Sequence, residues 1–173
     1  MDANEGQGII SRYPIVADEY WEYPDLPHTL GHQRVEIDYD GTIITIYNTH
    51  PWPPAAFKTG FNDESHRVAL RDVIERARQE EGPLLLVGDL NMSNEFREYD
   101  LLAEHFTDSF RVAGLGTGYT FPNFSLEPLP PVLRLDYIWH TDHFATLDSQ
   151  VWHEHGFSDH SPVRSQLALV NED

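Results

Sequence analysis

Leu84-Leu85-Leu86-Val87-Gly88-Asp89-Leu90-Asn91 runs four apolar residues straight into a glycine, a carboxylate and a carboxamide. The apolar run, bounded by Gly82-Pro83 and Gly88, reads as a short strand covered on both faces, and therefore central in a sheet. If the chain stays extended beyond it, residues two apart face the same way, so Asp89 and Asn91 project together from the end of a buried strand. That pair suits a cation or a phosphate. Gly88 permits close backbone approach at this point, although Gly-Asp after a strand is also an ordinary turn.

Working outward, Glu64–Gln79 reads as a helix whose Leu70, Val73, Ile74 and Ala77 form one buried stripe, with Asn62-Asp63 as caps. Before it, Gln33–Tyr39 and Thr42–Asn48 flank Asp40-Gly41, a two-residue turn that favours a type I′ hairpin. Ile43, Ile44 and Ile46 make both faces of the second strand apolar. Pro51, Pro53 and Pro54 stop it. Upstream, Gly8–Ser11 is a short apolar run, and Arg12-Tyr13-Pro14 with the polar Asp18–His28 reads as an exit loop. Downstream, a shorter helix is expected over Glu95–His105, a Gly/Pro-rich stretch from Gly114 to Pro131, then strands over Leu133–Trp139, Thr146–Trp152 and Val163–Val170. This order implies a mixed α/β layered domain without internal repeats.

The 173 residues, 40% hydrophobic and 23% charged, suit one folded domain, residues 1–173. No apolar run approaches the roughly 20 residues that cross a bilayer, and Met1–Gln7 lacks the basic, then apolar, character of a signal peptide. The absence of cysteine excludes disulfides and thiolate metal sites and leaves the compartment open. With a formal charge of −18 and Lys58 the one lysine, no broad basic face can neutralise a polyanion, so any phosphate must be bound locally. Arg67, Arg71, Arg76 and Arg78 are interleaved with acids and read as a solvated helix face.

Three further positions carry candidate chemistry. His50 ends the strand where the prolines redirect the chain, a place where a lone histidine is more often a polar edge residue than a catalyst. Asp136 is an acid inside an otherwise apolar strand, a costly placement that asks for a hydrogen-bonding partner, naturally a histidine. Asp159-His160 lies between two strand signals and pairs a carboxylate with an imidazole. His153 and His155 share a face and read as a surface edge, Gly114–Gly118 as a flexible loop bordering the substrate, and Thr120 after it as a phosphate contact. Trp52 and Phe57 flank the proline loop, where they stack on a base, meet a lipid or pack beneath the loop. The sequons at Asn91 and Asn123 carry no weight.

Gly8-Ile9-Ile10-Ser11-Arg12-Tyr13-Pro14-Ile15, Asn48-Thr49-His50, Gly88-Asp89-Leu90-Asn91, Arg134-Leu135-Asp136-Tyr137-Ile138 and Ser158-Asp159-His160-Ser161-Pro162 arrive in an order that resembles the endonuclease/exonuclease/phosphatase superfamily. The resemblance runs from Gly8 to Leu169. It implies a four-layer α/β sandwich, with two mixed sheets face to face and helices outside, and a Mg²⁺- or Mn²⁺-dependent phosphoesterase site at one end of the sheets. It also implies roles: His160 as general acid/base or transition-state stabiliser, Asp136 orienting its ring, and Asp89 positioning the attacking water or a metal. Asn91 would bind the scissile phosphate, His50 would stand near it, and Asp159 would ligate the metal. The expected activity is phosphodiester hydrolysis, with DNA as first substrate. Lipid or inositol phosphates are the alternative substrates that the resemblance implies, since the family also acts on these and His50-Pro51-Trp52-Pro53-Pro54 is similar to its membrane-associated bacterial branch.

One departure bears on this reading. The family's first strand, with an Asn, and second strand, with a metal-binding Glu, have no counterpart here, so the domain is expected to be N-terminally truncated. Exposed sheet edges would then favour a homodimer, and an acid from Met1–Glu5 or from a partner chain would complete the site. A catalytically silent domain that serves as an interaction module is the opposing expectation.

Overall fold

The computed structural model describes residues 7–26, 30–56, 60–61, 63–123, 130–152, 156 and 158–170. Lys58, Phe57, Asn62, His153, His155 and Met1–Glu5 lie outside them. The strands are β1 (Ile15–Trp21), β2 (His32–Tyr39), β3 (Thr42–Thr49), β4 (Ala55–Ala56), β5 (Gly60–Phe61), β6 (Leu84–Asp89), β7 (Thr107–Asp108), β8 (Asp136–His140), β9 (Phe144–Val151) and β10 (Val163–Leu169). Helices α1 (Glu64–Ala77), α2 (Arg97–Ala103) and α3 (Ser109–Ala113) are set between them.

Six strands form one mixed sheet in the order β1-β2-β3-β6-β8-β7, while β9 and β10 pair antiparallel in a second sheet. The central strand is β6, as its apolar run demands. It runs parallel to β3 and antiparallel to β8, with Asn48 level with Val87 and Asp89 level with Asp136. Strand alternation sorts the core into two. Tyr47, Leu84, Leu86, Tyr137 and Trp139 face α1 and α2, where they bury Leu70, Val73, Ile74, Ala77 and Leu102. On the other face Ile44, Ile46 and Leu85 pack with Phe144, Leu167 and Leu169 of the second sheet. The two sheets thus lie back to back, with helices outside the larger one.

The hairpin at Asp40-Gly41 has φ of 52° and 92°, the left-handed pair that a type I′ turn requires. Helix α1 stops two residues short of Gln79, and its N-cap, Asp63, makes no side-chain capping bond. The exit loop read at Arg12–Pro14 and Asp18–His28 is corrected: Ile15–Trp21 is an edge strand, paired with β2 over Ile15–Trp21 with a bulge near its start. Its residues are mostly exposed, so no alternation marks it. Strand β8 begins at Asp136, later than Leu133, because the preceding segment bonds to Thr120 and Phe121 and not to the sheet. No described helix is long and apolar enough to cross a membrane.

Candidate active site

Parallel register brings the end of β3 beside the end of β6, and antiparallel register brings the start of β8 to the same level. His50, Asp89 and Asp136 thereby meet at one end of the sheet. The approach of β6 to β3 depends on Gly88, which has φ of 136° and whose missing Cβ would stand 2.0 Å from the Thr49 carbonyl oxygen. No other residue fits that position.

Past Asp89 the chain does not stay extended, contrary to the sequence reading. Asn91 has φ of 48°, and its N–H donates to Asp89 Oδ1 at 2.9 Å, closing a tight side-chain turn. The Asn91 carboxamide swings back to donate to the Pro51 carbonyl at 3.0 Å, tying this turn to the one after His50. Beneath, Leu90 and Met92 are fully buried plugs. The Leu90 carbonyl accepts from His66 Nε2 at 2.9 Å, and burial holds that imidazole's pKa below its ordinary value.

His160 arrives from the loop before β10. Its Nδ1 donates to Asp136 Oδ2 at 2.8 Å, which fixes the ring and leaves Nε2 directed at Asp89 Oδ2, 3.7 Å away. His50 Nε2 lies 3.5 Å from the same oxygen. Both distances exceed a hydrogen bond, so the two imidazoles flank the Asp89 carboxylate at ion-pair range. The His160 loop is itself pinned: Ser161 N–H donates to the Thr120 carbonyl, Asn123 N–H to the Asp159 carbonyl, and the Phe121 ring packs 4.8 Å from the imidazole.

Charge follows geometry. Burial, and then the facing Asp136 carboxylate, push Asp89 up to about 6, against the Asn91 amide that favours its ionised form. For His160, burial works to lower the pKa. The hydrogen bond to Asp136 and the charges of Asp136, Asp89 and Asp159 outweigh it and hold the imidazole above its ordinary value.

His50, Asp89, Asn91 and His160 line a cleft of about 580 Å³ that also presents Asp159, Pro53, Pro54, Phe96, Phe121, Leu133 and Leu135, while Asp136 stands behind His160 and is not on its wall. His50, Asp89, Asn91, Asp159 and His160 of the sequence reading are all on its wall. Thr120 is not. It is fully buried, and its Oγ1 accepts from the Leu135 N–H at 3.2 Å, behind the cleft. The sequence reading gave no functional weight to His66, Phe96, Phe121 or Asn123, and no local sequence pattern marks them.

A sequence profile of the Endonuclease/Exonuclease/phosphatase family matches residues 2–160. The chain belongs to the endonuclease/exonuclease/phosphatase family. This family comprises phosphoesterases and nucleases, hydrolases of phosphoester bonds that generally depend on a divalent metal. Solved structures share the fold. An endonuclease/exonuclease/phosphatase family protein from Bacteroides thetaiotaomicron aligns with a TM-score of 0.72 at 19% identity, over 92% of this chain and 66% of that one. D. rerio TDP2 complexed with single strand DNA product gives 0.70 at 15%, over 89% and 68%. Mannosyl-6-phosphatase Bt3783 of Bacteroides thetaiotaomicron VPI-5482 gives 0.65 at 21%, over 91% and 67%. The chain therefore spans about two thirds of the length of these family structures. No curated protein matches it.

The site fits a divalent cation. One ligand atom each of Asp89, Asp136 and His160 lie within 4.8 Å of one another, and two carboxylates facing across a ladder repel unless a cation or proton intervenes.

Proposed function

We propose that the chain is a Mg²⁺- or Mn²⁺-dependent phosphodiesterase that cleaves nucleic acid, with DNA as its first substrate. The observation that carries this reading is the Asp89 carboxylate standing between two imidazole Nε2 atoms, one of them aimed by Asp136. Asp89 accepts a proton from a water molecule and directs its oxygen at phosphorus, in line with the bond to be broken. A pKa near neutrality suits a base that must both take and return a proton. As the new phosphorus–oxygen bond forms, the leaving oxygen departs with the bonding pair and takes its proton from His160 Nε2. The Asp136 carboxylate stabilises the imidazolium before that transfer.

Asn91 has one amide hydrogen engaged with Pro51, and the other is free to donate to a non-bridging oxygen. His50 faces the phosphate from the opposite side. In the alternative role of the same carboxylate, Asp89 together with Asp159 would hold a divalent cation, which would supply Lewis-acid stabilisation of charge on the phosphoryl oxygens. The apolar part of the cleft, with Phe96 and Phe121, suits a base or sugar stacked beside the scissile phosphate, which favours a nucleic acid. The fold's likeness to TDP2 bound to a single-stranded DNA product supports the same choice.

Hydrolysis of supercoiled plasmid and of an aryl phosphodiester, each with Mg²⁺, Mn²⁺ or EDTA, tests this. Metal-dependent cleavage that disappears in both His160→Ala and Asp89→Ala is the expected result. Self-association through strand edges belongs to the same reading, since β1 has no strand on its outer edge among the described residues and exposes Ile15, Val16 and Tyr20. Sedimentation velocity over a wide concentration range checks it.

A further inference from the structure

A second cavity, about 320 Å³, opens on the other side of the wall that bounds the cleft. Consecutive residues divide between the two: Ser93 lines the cleft and Asn94 the second cavity, Leu133 and Leu135 the cleft and Arg134 the second cavity. Its polar side chains are Asn94, Arg111, Thr117, Tyr119 and Arg134, and no acid is among the lining residues. In a chain of formal charge −18, that makes it a local exception.

The two cations are held differently. Arg134 is only 7% exposed, and its guanidinium lies 5.0 Å from the Phe110 ring centre and 4.5 Å from that of Tyr137. Its one carboxylate contact, Nη2 to Asp108 Oδ1 at 2.5 Å, leaves most of its five N–H donors without a described acceptor. Asp108 is itself saturated, accepting from Tyr99 and from the amides of Phe110 and Arg111. It cannot neutralise a second cation. Arg111, like Arg12 and Arg97, pairs with no carboxylate among the described residues, whereas Arg34, Arg67, Arg71, Arg76, Arg78 and Arg164 each meet at least one, and of the three only Arg111 lines this cavity. The glycine-rich loop supplies the remaining wall and is held to the same Phe110: a Cβ at Gly114 or Gly118 would stand 2.5 Å from that ring. The loop is therefore seated by packing against Phe110, with Gly114, Gly116 and Thr117 lining the same cavity as both arginines.

We infer that this cavity binds a phosphoryl group, with Arg111 and Arg134 as its paired cations and Asn94, Thr117 and Tyr119 as neutral donors. Two planar guanidiniums with hydroxyl and amide donors match the three terminal oxygens and the charge of a phosphate better than they match a carboxylate. The phosphoryl group comes either from a free phosphate compound or from a further phosphate of a chain whose scissile bond lies in the cleft.

The test is a titration followed by amide resonances of the whole chain, in EDTA and at constant ionic strength. Inorganic phosphate should shift residues 114–119 along a saturable isotherm that sulfate shares and chloride does not. Arg111→Gln, at an exposed position that folding does not need, should weaken this isotherm roughly tenfold or more, the loss expected for a charge-assisted contact, while Arg164→Gln on β10 leaves it unchanged. A thymidine tetranucleotide whose affinity falls in parallel would identify the ligand as part of a chain spanning both cavities. Phosphate alone responding would identify a free phosphate compound. Shifts confined to the surroundings of His50, Asp89 and His160, or an isotherm equal in both variants, would overturn the assignment. The readout needs neither metal nor turnover, so it stands apart from any failure of the hydrolase reading.

Discussion

Asp136 lies directly opposite Asp89 across the β6–β8 ladder, and its carboxylate accepts from the imidazole of His160. One acid thus raises the pKa of two neighbours: it burdens Asp89 with like charge and favours the protonated form of His160. Asp136→Asn should lower both pKa values and reduce kcat. The shift of the His160 ring resonances with pH, measured in each protein, checks the coupling.

Removal of the imidazole is more severe than removal of its orienting acid. His160→Ala should reduce kcat by about 10²–10⁴-fold, the usual contribution of a positioned proton donor. Single-turnover hydrolysis of an aryl phosphodiester is the measurement. Far-UV circular dichroism should be unchanged, because the His160 loop is held by Ser161 and Asn123 backbone bonds.

Asp89 predicts a link between pH, metal and stability. Its carboxyl titrates about 3.8 in an unfolded chain and about 6 in the folded one. Below both values it is protonated in either state and costs nothing. As pH rises through that window the unfolded chain releases its proton first, so stability falls and stays lower above pH 6. Mn²⁺ should therefore raise Tm more at pH 7.5 than at pH 5. Asp89→Asn should raise the metal-free Tm at pH 7.5 and abolish the Mn²⁺ response. Differential scanning calorimetry reads both.

His32 predicts the opposite slope. It is fully buried, its Nδ1 is hydrogen-bonded to Thr49 Oγ1, its Nε2 has no partner, and burial lowers its pKa to about 4. As pH falls below the unfolded value of 6.5, only the unfolded chain takes up the proton, and stability drops by roughly 3 kcal/mol by the time pH reaches 4. His32→Gln should flatten this acid limb in urea titrations run at several pH values.

Gly88→Ala should destabilise the domain by roughly 2–5 kcal/mol, from left-handed backbone strain together with the clash against β3. Urea unfolding measures it. Leu86→Ala, which removes core volume without touching the β3 junction, serves as a comparison of similar cost that leaves the His50–Asp89 spacing intact.

Much of this site was legible in the chain. Asp136 announced itself as an acid in an apolar strand, and it has the histidine partner that such a placement requires. Gly88-Asp89 was legible because a wholly apolar run ended there. The turn at Asn91 was not, since the pull of Pro51 and of the Asp89 side chain on that residue is tertiary. Strand β1 escaped notice because an edge strand exposed on both faces has no period to read. Helix α3 is five residues long, too short for periodicity, although Asp108 caps it through the Phe110 and Arg111 amides. Phe121 and Phe96 carry no local mark of function; only the closure of the cleft around them does.

Alternation along β8 places Tyr137 and Trp139 toward the helices and Asp136 on the opposite side, where it holds His160. A single inserted or deleted residue in that strand would exchange the two sides, turning aromatics toward His160 and an acid into the core. Loss of chemistry and loss of folding would then occur together. Evolution can lengthen the loops on either side of β8, but its five residues admit no change in length.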